Sequence, residues 1–151
     1  MTDQLSIVPK IIEKVLGEKP SQVRRMVIGI CNDVYKVTTA NHIVIVRTNE
    51  WPSQLEGVWK HIELFKSLEI KVPNLLASDY SKKEFPFAYQ VLSYIEGKDL
   101  GLLIETLTDD QLKELAKEIA SIFRKLEVIP TNGKFGWVGK EDIDEICAHE
   151  A

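Results

Sequence analysis

The residues from Gly29 to Arg47 constrain the fold more than any other stretch. They read Gly-Ile-Cys-Asn-Asp-Val-Tyr-Lys-Val-Thr-Thr-Ala-Asn-His-Ile-Val-Ile-Val-Arg. Two β-type runs, 34–39 and 43–47, flank a short polar turn at Ala40-Asn41-His42, and a third run, 23–28, leads into Gly29. Together they predict a three-stranded antiparallel meander with a tight Gly/Asn/Asp corner. Residues 43–46 are apolar at every position, the pattern of a central strand buried on both faces. The period of two puts Ile43, Ile45 and Arg47 on one face. Arg47 therefore either emerges into solvent or points into a cleft.

Val8, Ile11, Ile12, Val15 and Leu16 precede the meander at helical spacing, and Gly17 ends that stripe. Leu55, Val58, Trp59, Ile62, Phe65 and Leu68 follow it as a second helical stripe. Ser53-Gln54-Leu55-Glu56 has the form of a capping box at its start, and Val72-Pro73 stops it. Runs 75–80 and 86–94 read as strands around a polar turn. Glu96-Gly97-Lys98-Asp99 breaks the pattern. Thr108-Asp109-Asp110-Gln111 forms a second capping box ahead of a long helix striped by Leu112, Leu115, Ala116, Ile119, Ala120, Phe123 and Leu126. Residues 130–139 read as a Gly-containing loop and 140–149 as a final helix. The order predicts an α+β fold, a five-stranded antiparallel sheet with one long helix inserted after the third strand to cover one face. Residues 1–97 form one unit on this reading, and 98–151 begin a second, helical one.

Bulk properties narrow the function classes. The net charge of −4 argues against a nucleic-acid partner, which favours a basic face. No apolar run approaches the ~20 residues of a membrane helix, and the N-terminus lacks the regions of a signal peptide. Two cysteines far apart, Cys31 and Cys147, fit a reduced, cytoplasmic chain. Cys147-x-His149 lacks a second ligand pair, so no metal site is expected there.

Four stretches carry candidate chemistry, each with a plainer alternative. Gly29-x-x-Asn32-Asp33 exposes backbone N–H groups that could cradle a phosphate, and it is equally ordinary turn chemistry. Arg47 is a phosphate-binding cation or a solvated strand end. Glu56 pairs with Arg47 or closes the capping box on Ser53. Residues 87–97 form a strand running into an extended segment whose backbone meets a base edge, or a strand and turn with Tyr94 packed locally.

Taken in order, these elements resemble the N-terminal part of the aminoglycoside phosphotransferase family, which shares a kinase-like fold with choline and homoserine kinases. Gly29-x-x-Asn32-x-Val34-Tyr35-x-Val37 is similar to that family's nucleotide loop, and Ile43-Val-Ile-Val-Arg47 to its third strand. Glu56 sits where the family's helix glutamate pairs with the strand cation, and Leu92-Ser93-Tyr94-Ile95-Glu96-Gly97 is similar to its hinge. The resemblance implies a kinase-like nucleotide lobe binding ATP or GTP with Mg2+, contacted by Gly29, Asn32, Asp33, Arg47, Glu56 and the backbones of Ser93 and Ile95. It also implies transfer of the γ-phosphoryl group to a hydroxyl of a small molecule.

The family's His-x-Asp-x-x-x-x-Asn loop is missing, since none of the three histidines is followed by x-Asp. Lys134-Phe135-Gly136 has lysine where a metal-binding aspartate belongs, and Asp142-x-Asp144 has no asparagine partner. No catalytic or metal-ligating residue is therefore expected in these residues. The chain reads as a truncated enzyme, inactive alone, with its metal ligands in a missing lobe. A stand-alone nucleotide-binding or regulatory module is the alternative, and an α+β scaffold without a nucleotide site the plainest one. The stripe from 112 to 126 predicts self-association through an exposed helix.

Overall fold

The computed structural model describes residues 4–27, 31–59 and 62–129, with the side chains of 58 and 59 left out. Helix α1 (Gln4–Leu16) leads into strands β1 (Gln22–Met26), β2 (Asp33–Thr38) and β3 (Ile43–Asn49). Helices α2 (Ser53–Trp59) and α3 (Ile62–Ser67) come next, then β4 (Leu75–Asp79) and β5 (Ala88–Ser93). Two 3-10 turns, Leu100–Leu102 and Ile104–Thr106, precede helix α4 (Asp109–Leu126). The sheet is antiparallel throughout, in the order β1-β2-β3-β5-β4. This is the expected α+β fold. The single long helix is seen as two segments, with residues 60 and 61 between them outside the described residues. The expected helix at 140–149 and Lys134-Phe135-Gly136 also lie outside them.

Alternation sorts the sheet into two faces. Tyr35, Val37, Val44, Val46, Tyr89 and Val91 point one way and pack with Val8, Ile11 and Ile12 of α1 in one core. All nine are nearly solvent-free, so apolar burial here is the main source of stability. Helix α1 begins at Gln4, ahead of its apolar stripe, with Pro9 inside it. The added turn brings the Gln4 Oε1 to the Thr48 hydroxyl, which donates to it at 2.6 Å.

The opposite face is covered unevenly. Leu55 of α2 is fully buried, whereas Ile43 is 45% exposed and Ile45 half-buried. The apolar run of β3 predicted burial on both faces. The structure buries Val44 and Val46 against α1 and leaves Ile43 and Ile45 incompletely covered, because α2 lies over the other end of the strand. A partly open apolar strand face is a shelf on which a flat ligand can lie.

Candidate functional site

Arg47 stands on the shelf side of β3, directly across from Val34 on β2 and Gln90 on β5. Its guanidinium is half-buried, and among the described residues no carboxylate oxygen lies within 4.0 Å of it. Burial lowers its pKa, opposed by the nearby Tyr80 hydroxyl. A partly desolvated cation without a counter-charge favours an incoming anion.

Gln90, the partner of Arg47 across the ladder, is 1% exposed. Its amide donates to the Leu55 carbonyl of α2 and to the Tyr80 hydroxyl, both at 2.8 Å. Further along the same face come Lys36, opposite Ile45, and Arg24, opposite Lys36. No acidic residue stands on this face of β1, β2, β3 or β5. The chain is acidic as a whole, so the positive face is local. The Lys36 ammonium sits 3.8 Å from the centre of the Tyr94 ring, a cation–π contact that spans the shelf beside the end of β5.

The extended segment expected to serve as a hinge begins where β5 ends. The Ser93 N–H donates to the Asn74 carbonyl at 2.9 Å, and the Ser93 hydroxyl accepts from the Asn74 N–H at 2.8 Å. One side of this segment is thus tied down. Two residues on, the Ile95 N–H has no acceptor among the described residues and can meet a ligand edge.

The corner between β1 and β2 is held by Asn49. Its amide donates to the Cys31 carbonyl at 2.6 Å and to the Asn32 side-chain oxygen at 2.8 Å, and its own oxygen accepts from the Trp51 N–H at 2.8 Å. One side chain at the end of β3 therefore fixes both the corner and the entry to α2. Gly29 lies outside the described residues.

Two predicted site residues are not brought to Arg47. Asp33 points to the α1 side, where it pairs with Arg25. It lines a cavity of about 840 Å³ together with Arg25, Tyr35, Thr48 and Trp51. Glu56 lies in the first turn of α2 but forms no ion pair with Arg47. The rotation of α2 is set by Leu55, which faces the sheet, and each residue turns about 100° from the last. The Ser53–Glu56 capping box is also not formed. The carbonyls of Trp51 and Pro52 accept from the N–H groups of residues 54, 55 and 56, so the helical turn starts before Ser53.

Asn49 and Gln90 were missed by sequence reasoning. Gln90 is an uncharged polar residue within an otherwise apolar strand run, and that contrast was its signal; Asn49, between Thr48 and Glu50, carried none. Among the described residues no group of three or more potential metal ligands is present, and no helix is long and apolar enough to cross a membrane.

No family model and no curated protein sequence matches the chain. Solved structures do. A thermostable variant of aminoglycoside phosphotransferase APH(4)-Ia, in a ternary complex with AMP-PNP and hygromycin B, aligns with a TM-score of 0.64 at 17% identity, over 95% of this chain and 49% of that one. A second variant of the same enzyme, in a ternary complex with ADP and hygromycin B, aligns with a TM-score of 0.60 at 16% identity, over 88% of this chain and 44% of that one. The chain spans about half the length of these structures or less. The described residues share the fold of the N-terminal part of these aminoglycoside phosphotransferases, with the five-stranded sheet matching their kinase-like N-terminal lobe.

Proposed function

We propose that this chain is the nucleotide-binding lobe of a small-molecule phosphotransferase. The observation that carries the reading is Arg47, a half-buried cation without a carboxylate partner at the end of an open apolar shelf. A purine ring lies on Val34 and Ile45, with its edge toward the Ile95 N–H and the Ser93 carbonyl. The α- and β-phosphates reach Arg47 beneath the corner held by Asn32 and Asn49. Gly29 admits the phosphates closely, and Glu56 meets Arg47 once α2 turns toward the ligand. Asp33 acts through its pair with Arg25, which fixes the start of β2. ATP or GTP fits this geometry equally, since the base is met by backbone atoms.

In this reading residues 1–97 form the nucleotide lobe and 98–151 begin the second. The protein acts in the cytoplasm, and Mg2+ is held by carboxylates of the second lobe. The positively charged face and the ADP and AMP-PNP complexes of the similar structures support nucleotide binding. The acceptor is a hydroxyl of a small molecule, attacked in line by the positioning and charge stabilisation that phosphoryl transfer needs. These 151 residues lack the His-x-Asp loop, so they bind nucleotide without turnover.

Titration calorimetry with ATP and Mg2+ tests the reading. Wild type gives a binding heat, and Arg47→Ala weakens affinity at least about tenfold, the loss of a charge-assisted contact to phosphate. Absent heat in both proteins overturns it. Sustained phosphorylation of any hydroxyl acceptor by the purified chain overturns the assignment of catalysis to the second lobe.

A further inference from the structure

Among the described residues, helix α4 carries an open apolar stripe. None of its residues is buried, and Ile119, Ile122 and Phe123 are 41%, 43% and 63% exposed. Leu112, Leu115, Ile119, Ile122 and Leu126 recur at steps of three, four, three and four. These are the first and fourth positions of a heptad, a seam that suits one partner helix. Glu118 and Lys125 each precede a first-position residue, and Ala116 and Phe123 each follow a fourth-position one.

We propose that two copies of this chain associate through α4 as an antiparallel pair. Setting Ile119 opposite Ile122 of the second copy fixes the rest of the register. Leu115 then faces Leu126 of the second copy, and small Ala116 faces large Phe123. Glu118 faces Lys125, an opposite-charge pair flanking the seam. The two-fold axis repeats each contact, so one sequence satisfies both halves of the interface. A parallel pair would set Glu118 beside Phe123 and forfeit the charge match. Lys125 now donates to the Glu69 carbonyl at 3.1 Å and lies 3.7 Å from its carboxylate. That contact sits at the surface, where exchanging one ion pair for another costs little.

Sedimentation equilibrium of the 151-residue protein over a wide concentration range tests the pairing. Wild type dimerises, and Ile119→Asp abolishes association. Glu118→Lys and Lys125→Glu each raise the dimer Kd about tenfold by creating two like-charge contacts. An equimolar mixture of those two variants restores the wild-type Kd, because each supplies the charge the other lacks. Circular dichroism checks that α4 persists in each variant, and the mixture remains decisive if Ile119→Asp loses helix. A wild-type monomer at every concentration overturns the proposal, as it would leave α4 to a different chain. So do charge variants that associate like wild type, or a mixture that restores nothing.

Discussion

Arg47 and Gln90 face each other across β3 and β5, and Gln90 ties that pair to α2 through the Leu55 carbonyl. Its amide nitrogen serves the Leu55 carbonyl and the Tyr80 hydroxyl at once, in a site with almost no water. Gln90→Leu preserves the volume but removes the donor that the Leu55 carbonyl and the Tyr80 hydroxyl share. We expect a loss of about 2 kcal/mol, the cost of an unsatisfied buried acceptor. Hydrogen exchange should accelerate across α2 before it does so in β1. A variant with wild-type stability would show that water replaces the amide.

Arg47 should behave in the opposite way. Because no carboxylate answers its charge, removing that charge relieves desolvation and forfeits no ion pair. Arg47→Met keeps the stem's packing. It should leave stability unchanged or raise it by up to ~1 kcal/mol while weakening nucleotide binding. Chemical denaturation read beside calorimetry checks both halves. A clear loss of stability would mean that the guanidinium is anchored by the protein itself.

Asn49 makes three hydrogen bonds that no neighbour can replace. Asn49→Ala should cost about 2–3 kcal/mol and release the corner at Cys31 and Asn32 together with the turn at Trp51. The fluorescence of Trp51, which is 70% exposed, reports on that turn, although Trp59 and Trp137 must first be replaced by phenylalanine. Asn49→Asp should rescue only the Trp51 bond, because a carboxylate cannot donate to the Cys31 carbonyl.

Acid should loosen the β2–β3 turn. Hydrogen bonding from the Thr39 hydroxyl and from Asn41 holds the Glu18 carboxyl down to about 2, well below the usual 4.5. The Asn41 amide donates to it at 3.0 Å, and His42 Nδ1 lies 3.1 Å away. A carboxyl with a depressed folded pKa contributes stability that is present above its unfolded value and is lost as pH falls through its folded one. The turn should therefore weaken progressively below about pH 4.5, and Glu18→Gln should flatten that part of the profile. Denaturant midpoints measured from neutral pH down to about 3 decide it. Identical acid slopes in the two proteins would remove Glu18 from the account.

The sheet was legible in part because alternation is a local property. Val44 and Val46 against Ile43 and Ile45 can be sorted by counting, and the β1-β2-β3 meander follows from its short turns, whereas the place of β5 between β3 and β4 is set by packing at a distance. The Thr108–Gln111 capping box formed as read, with the Thr108 N–H donating to the Gln111 side-chain oxygen at 2.9 Å. The box at Ser53 did not form, because Asn49 and two carbonyls had already closed the turn ahead of it. The site was legible only in part. Arg47 was placed correctly on its face by period two, but its relation to Glu56 depends on the rotation of α2, which Leu55 sets through packing. Gln90 and Asn49 bond to backbone atoms 35 and 18 residues away, and no spacing in the sequence encodes such a partner.

The strand order has a consequence for synthesis. Because β5 lies between β3 and β4, a ribosome that has produced the chain only as far as Asp79 presents β3 with one whole edge unpaired. Its row of unmet amides and carbonyls, beside valine and isoleucine, is a template for any extended segment nearby. Only the arrival of residues 88–93, the fifth strand of this sheet, seals that seam and lets β4 join at all. Nascent chains stalled in this interval are the ones that chaperones should be found holding.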